Sequence, residues 1–105
     1  IEQDDAGAMN NLAYLYYDRN RNKVESLELS TKSITMEKDY YNTLTHAKIL
    51  LWNDKYSESM EYFRDFIITY PYDEFLDFIT DYFLLLMAKK QYNLAYKVFV
   101  DINQL

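Results

Sequence analysis

His46 is the only histidine in the sequence, and the sequence contains no cysteine. A metal site would therefore need carboxylates alone, or carboxylates together with one imidazole. His46 stands beside Ala47 in a stretch of helical periodicity, and no nucleophile motif accompanies it. We therefore expect a packed or hydrogen-bonded histidine, not a metal ligand or a catalytic base.

A series of carboxylates follows at near-helical spacing: Asp73, Glu74, Asp77 and Asp81. Paired carboxylates could perform acid–base chemistry or hold a cation weakly. Acidic residues in the first turn of a helix are also favourable because of the helix dipole, so we interpret the series as a solvated acidic face. The single glycine, Gly7, excludes the usual glycine-rich phosphate-binding loops. The sequence thus predicts no catalytic residue, no metal site and no cofactor, and we do not expect an enzyme.

The charge and the aromatic content bear on nucleic-acid binding. The chain of 105 residues has a net charge of −6, with 12 tyrosines and 6 phenylalanines. Exposed aromatic rings can stack on bases, but phosphate binding also needs a basic face, which an acidic chain does not supply. We therefore expect the rings to serve packing and exclude a nucleic-acid partner.

Apolar patterning argues against a membrane span. The longest apolar stretch, residues 82–88, is far shorter than the ~20 residues that a spanning helix needs. The lack of cysteine fits a reducing compartment, so we favour a cytoplasmic location and keep an envelope-associated one open. The chain begins at Ile1, which suggests a fragment of a longer protein.

Apolar residues recur every three and four positions through most of the chain, which is the helical period. Asp4 and Asp5 precede the first helix as candidate cap and dipole partners. The predicted helices cover about residues 6–19, 23–36, 39–52, 56–69, 73–89 and 91–105. The polar segments between these helices are short, and short connections force consecutive helices to lie antiparallel. The six helices therefore pair into three hairpins.

The hairpins repeat. Residues 56–63 and 92–99 align without a gap at an offset of 36, and each segment has Tyr first, a small residue three later and Phe four after that. Ser26, Ser30 and Ser33 reproduce the spacing of Ser59, Phe63 and Phe66 at an offset of 33. Small residues let the two helices of a hairpin approach closely, and a period near 34 indicates stacked helical hairpins.

At these positions the chain resembles the tetratricopeptide repeat family. The residues that carry the resemblance are Asn11, Leu12, Ala13 and Tyr16, then Ala47, Leu50, Ser59, Phe63 and Pro71, then Ala95 and Phe99. The resemblance implies an all-α protein in which about three antiparallel hairpins stack as a short right-handed solenoid. The array would fill residues 1–105, with repeats at about 6–38, 39–73 and 74–105.

Some positions depart from the family pattern. The first repeat needs a one-residue insertion near residues 20–23, and Ser30 replaces the expected aromatic residue. Phe83 occupies a place where a small residue is usual, so the third hairpin is expected to splay or shift its register. The related Sel1-like repeats remain an alternative, and residues 62–71 resemble repeats of bacterial envelope-assembly lipoproteins.

The resemblance also implies a binding surface, because the first helix of each hairpin lines a concave groove in that family. The implied groove residues are Asn10, Tyr14, Tyr17, Asp18, Tyr41, Leu44, Lys48, Leu51, Trp52, Asp77, Thr80, Leu84 and Met87. Tyr14, Tyr17 and Trp52 have the large rigid surfaces that binding hot spots favour. Core packing is the alternative for all of these residues, and for Leu51 and Leu84 it is an equal one.

Some members of the family hold a partner's C-terminal carboxylate with Lys, Asn and Arg in this groove. The matching positions here are Asn10, Tyr14, Thr45, Asp77 and Asp81, so that clamp is absent. An acidic pair in place of a basic one repels a carboxylate.

The expected function is therefore a protein-interaction scaffold that binds an unidentified peptide or helix in an aromatic, mildly acidic groove. The alternative is a structural segment of a larger helical-repeat protein, or a dimerisation module with no separate ligand. Leu94, Val98, Ile102 and Leu105 form an apolar stripe on the last helix. We expect part of this stripe to be covered by a further repeat or by a second copy of the chain.

Overall fold

The computed structural model describes residues 5–104, apart from the side chain of Tyr72. The described residues contain six α-helices and one 3-10 helix, and no β-strand lies among them. The helices are α1 (Ala6–Asp18), α2 (Lys23–Met36), α3 (Tyr40–Trp52), α4 (Tyr56–Thr69), α5 (Leu76–Ala88) and α6 (Tyr92–Asn103), and the 3-10 helix (Tyr72–Phe75) lies between α4 and α5. The all-α prediction is confirmed.

Most predicted helix bounds agree with these elements to within one or two residues, but the start predicted for the fifth helix is wrong. Tyr72–Phe75 forms a tight 3-10 turn directly after Pro71, and α5 begins only at Leu76. Proline fixes its own backbone angle, and here it opens a separate turn. Asp73 and Glu74 therefore belong to this turn, whereas Asp77 lies in the first turn of α5.

The first helix begins at a side-chain cap. The carboxylate of Asp5 accepts hydrogen bonds from the backbone N–H groups of Gly7 and Ala8, at 2.8 and 3.1 Å. These amides have no partner within the helix, so the cap stabilises its first turn. Asp4 lies outside the described residues.

Three helices, α1, α3 and α5, end in the same way. Each is closed by a Schellman motif, in which the third residue beyond the helix donates its backbone N–H to a carbonyl five residues earlier. The three bonds are Arg21 to Tyr16 (3.0 Å), Lys55 to Leu50 (2.9 Å) and Gln91 to Leu86 (2.9 Å). The residue before each donor has a positive φ: Asn20 (53°), Asp54 (63°) and Lys90 (60°). These turns recur 34 and 36 residues apart, so the same helix–turn–helix joint occurs three times.

The first of these joints is one residue longer than the others. The helix that follows begins three residues after Asn20 but two residues after Asp54 and after Lys90. Asn22, the additional residue, also has a positive φ, of 52°. The insertion predicted near residues 20–23 lies at this position.

The chain divides into two compact units, Ile1–Phe63 and Arg64–Leu105. In the first unit α2 packs against both α1 and α3, and α1 packs against α3.

Buried serine hydroxyls connect α1 with α2 and α3 with α4. Ser26 donates to the carbonyl of Ala13 (2.8 Å), Ser33 donates to that of Ala6 (2.7 Å), and Ser59 on α4 donates to that of Ala47 (2.6 Å).

The Ser26–Ala13 and Ser59–Ala47 contacts are equivalent in the first and second hairpins. All four residues are fully buried. A small side chain permits the close approach, and its hydroxyl gains the partner that a buried polar group requires. The spacing of the small residues predicts their close contacts but not these hydrogen bonds.

In the second unit α5 packs against α6 and against the 3-10 helix. Phe66 is buried against the rings of Tyr70, Phe75 and Phe78, with centroids 5.0 to 5.3 Å away. Ala95, equivalent to Ser59, is buried but has no hydroxyl to donate.

Phe83 occupies the position of Ala13 and Ala47 in the third hairpin, and it is only half-buried. A phenyl ring is too large for the closest approach of two helices. The fully buried residue is Tyr82, one position earlier. The third hairpin thus packs differently from the first two at this position.

The apolar stripe predicted on the last helix is only partly exposed in its described members. Val98 is fully buried, Leu94 and Ile102 are half-buried, and Leu105 lies outside the described residues. The exposed apolar side chains of α6 are aromatic instead: Tyr92, Tyr96 and Phe99. Val98 follows Ala95 by one helical turn, so it shares the inward face of the helix.

Candidate functional site

The first unit brings three of the predicted aromatic site residues together. On α1, the rings of Tyr14 and Tyr17 lie with centroids 5.8 Å apart. The ring of Tyr17 meets Trp52 of α3 edge-on, at 5.5 Å. Tyr14 is exposed, and Tyr17 and Trp52 are half-exposed. We call these three residues the aromatic patch.

Two lysines lie over rings of this patch. The ammonium nitrogen of Lys48 on α3 lies 5.9 Å from the ring centroid of Tyr14, and that of Lys23 lies 5.6 Å from Trp52. Tyr14 and Lys48 occupy the same repeat position, 34 residues apart on neighbouring helices. Lys23 is exposed, where a cation–π contact is worth roughly 0.5–1 kcal/mol, whereas Lys48, a predicted groove residue, is only 9% exposed.

Lys23 was not among the predicted site residues. It is the first residue of α2, and the side-chain amide of Asn53, directly after α3, lies 3.5 Å from its carbonyl oxygen. The same amide nitrogen donates to the carbonyl of Ile49 at 2.9 Å. The end of α3 thus lies beside the start of α2, a proximity that helix periodicity alone does not reveal.

The other predicted groove residues of the first unit differ in exposure. Asp18 and Tyr41 are exposed, Leu44 is half-buried, and Leu51 is 0% exposed. Leu51 is therefore part of the core, which was the alternative for this residue. The Tyr41 ring lies 3.9 Å from that of Tyr40, and a hydrogen bond to Tyr41 raises the pKa of Tyr40 to about 12.

Asn10, one helical turn before Tyr14, is only 8% exposed. Its side-chain oxygen is buried and has no hydrogen-bond partner among residues 5–104. An unpaired buried acceptor costs about 1–3 kcal/mol. A substitution that removes this oxygen is therefore expected not to destabilise the fold.

The predicted groove residues of the second unit all lie on α5. Asp77, Thr80, Leu84 and Met87 follow one another at helical spacing, and all are exposed. Core packing, the alternative for Leu84, does not occur. These residues form one solvent-facing strip with an acidic beginning and an apolar end.

His46 is packed and hydrogen-bonded, as predicted. Its Nδ1 lies 2.8 Å from the hydroxyl oxygen of Ser30, and its ring meets Tyr62 edge-on at 4.8 Å. Burial lowers the pKa of His46 to about 4. Ser30 and His46 are both buried, so a substrate could not reach this pair without opening the core. The pair joins α2 to α3 and fills the place where an aromatic residue was expected.

Within residues 5–104, no group of three or more His, Cys, Asp or Glu side chains is placed to hold a metal ion. No helix in this part of the chain is long and apolar enough to cross a membrane. Comparisons with protein-family models, with curated proteins and with solved structures find no significant match.

Proposed function

We propose that the aromatic patch binds a peptide or a helix of another protein. The observation that carries this proposal is the continuous contact from Tyr14 through Tyr17 to Trp52, on two packed helices and open to solvent. Tyr and Trp dominate binding hot spots because they supply a large area and lose little conformational entropy. α1 and α3 hold the rings on rigid elements, which lowers the ordering cost of binding.

The charges around the patch favour one class of partner. The sequence suggested a mildly acidic groove, but two ammonium groups lie over these rings, that of Lys23, which is exposed, and that of Lys48, which is largely buried. A carboxylate of a partner near the exposed Lys23 ammonium gains Coulomb energy, whereas a basic side chain is repelled. The proposed partner segment therefore has an apolar or aromatic anchor flanked by acidic residues.

The proposal includes membership of the tetratricopeptide repeat family, with hairpins stacked as a short right-handed solenoid. The support is local. The Schellman turn recurs three times, and the Ser–Ala contact recurs in two hairpins at matching positions. The second candidate function, a structural or self-associating segment, is favoured by exposed apolar faces on α1 and α6.

Trp52 is the only tryptophan of the chain, so its fluorescence reports on the patch directly. Peptides selected from a random display library against the chain should change this emission in a saturable way. Replacing Tyr17 by Ala should weaken their binding about tenfold or more, since a hot-spot truncation costs about 2 kcal/mol or more.

The matched control is Tyr96→Ala, which removes an exposed ring outside the patch. This control should leave peptide affinity unchanged. The proposal fails if the selected peptides bind the Tyr17→Ala variant as tightly as the original protein. It also fails if binding leaves the Trp52 emission unaltered.

A further inference from the structure

One face of α6 is aromatic and exposed. Tyr92, Tyr96 and Phe99 recur at intervals of four and three residues, and they are 56%, 68% and 57% exposed. Rings of this size expose together roughly 300 Å². A contiguous apolar patch of this size on one protein is often an interaction site.

The positions equivalent to Phe99 in the earlier hairpins are buried. Phe63 precedes Phe99 by 36 residues and Ser30 precedes Phe63 by 33, and these two residues are 0% and 1% exposed. For Ser30 the first unit shows what covers it. Its hydroxyl oxygen lies 2.8 Å from Nδ1 of His46 on α3, the first helix of the next hairpin. The face of α6 therefore matches a face that a following first helix covers in the same chain.

α1 exposes the complementary face. Leu12 and Leu15 are 38% and 43% exposed. Their equivalents on α3, 34 residues later, are His46 and Ile49, which are 4% and 0% exposed. α1 thus presents to solvent the positions that α3 buries, among them the position that meets Ser30 of α2.

We propose that the aromatic face of α6 docks on the Leu12–Leu15 face of α1 in a second copy of this chain. Phe99 would meet Leu12 as Ser30 meets His46 within the first unit. The two faces are different, so the contact is heterologous and adds copies in a chain, head to tail. Each copy carries a net charge of −6, so salt should strengthen the association by screening the repulsion.

Analytical ultracentrifugation from about 1 μM to about 1 mM tests this proposal. The average mass should rise with concentration and rise further with added salt. Phe99→Glu and Leu12→Glu should each weaken association about tenfold or more, since each places a carboxylate in an apolar contact. Ile68→Glu is the matched control because it makes the same charge change at an exposed apolar residue of α4, and it should leave association unchanged.

Mixing the two interface variants provides the sharpest readout. Phe99→Glu retains an intact α1 face and Leu12→Glu retains an intact α6 face, so an equimolar mixture should form a dimer and stop there. Circular dichroism must show that each variant is folded. Tyr96→Glu and Leu15→Glu replace any variant that is not.

Three results would overturn the proposal. The first is a monomer across the whole concentration range. The second is a mixture of the two variants that stays monomeric. The third is self-association that Phe99→Glu abolishes and Leu12→Glu leaves intact, because that pattern indicates two α6 faces in contact.

Discussion

His46 couples the stability of the first unit to pH. Its pKa is about 4 in the folded protein, lowered from 6.5 by burial. Below pH 6.5 the unfolded chain binds a proton at this imidazole and the folded protein does not, so folding becomes less favourable as pH falls from about 6.5 to about 4. The full shift corresponds to about 3 kcal/mol, at about 1.4 kcal/mol for each pKa unit. Between about pH 7 and about pH 4.5 the expected loss is roughly 2 kcal/mol.

The variant that isolates this effect is His46→Gln. Glutamine has no proton to gain in this range, and its amide can still hydrogen-bond the Ser30 hydroxyl. Other groups titrate as well; for example, the pKa of Glu37 is raised because its protonated carboxyl group donates a hydrogen bond to the carboxylate of Asp39. Those contributions are common to both proteins and cancel in the difference.

Urea unfolding at a series of pH values gives the free energy of unfolding for both proteins. The stability difference between the original protein and the His46→Gln variant should change by roughly 2 kcal/mol between about pH 7 and about pH 4.5, in favour of the variant at acid pH. Parallel pH profiles for the two proteins would refute the reasoning, since His46 would then titrate equally in the folded and unfolded states.

The remaining predictions concern packing and backbone strain. Replacing Asn10 by Leu should leave stability unchanged or raise it, because it removes an unpaired buried oxygen; a clear loss in thermal melts would mean that Asn10 has a partner. Replacing Ser59 or Ala95 by Leu should cost about 1–3 kcal/mol through overpacking, and unchanged melting temperatures would contradict the assigned hairpin contacts. Lys90→Gly should stabilise the folded protein by about 1 kcal/mol, because Lys90 has a φ of 60°. The control Lys89→Gly, at a φ of −87°, should not stabilise it. Equal effects of the two substitutions would contradict the assigned turn.

The sequence predicts the helices well, because their apolar spacing and short polar joints are local properties. The bounds of α2 and α4 agree at both ends, and only the start of α5 differs substantially. There, Pro71 is followed by a 3-10 turn, and residues 73–75 fit either helix type on local pattern alone.

The candidate site is harder to predict from the sequence than the helices are. Tyr14, Tyr17, Lys48 and Trp52 were all among the predicted site residues, since repeat positions map onto helix faces. Lys23 lies near Trp52 because the start of α2 lies beside the end of α3. This proximity depends on tertiary packing, which the sequence pattern does not show.

The sequence predicts Ser26 and Ser59 as small residues at close helix contacts, but it does not predict that their hydroxyls donate hydrogen bonds. Sequence spacing places a side chain on a helix face, but it does not show which carbonyl lies within reach. The exposure of Tyr92, Tyr96 and Phe99 on α6 was likewise not predicted. Val98 and Phe99 are adjacent, and a rotation of α6 by one position exchanges which of them is buried.

The most direct test of the central claim, that the aromatic patch binds a protein segment, is fluorescence titration of Trp52 with a selected peptide. The expected result is a saturable change in the Trp52 emission. The peptide affinity should fall about tenfold or more in Tyr17→Ala and stay unchanged in Tyr96→Ala. Equal affinities for the three proteins, with an unaltered Trp52 emission, would contradict it.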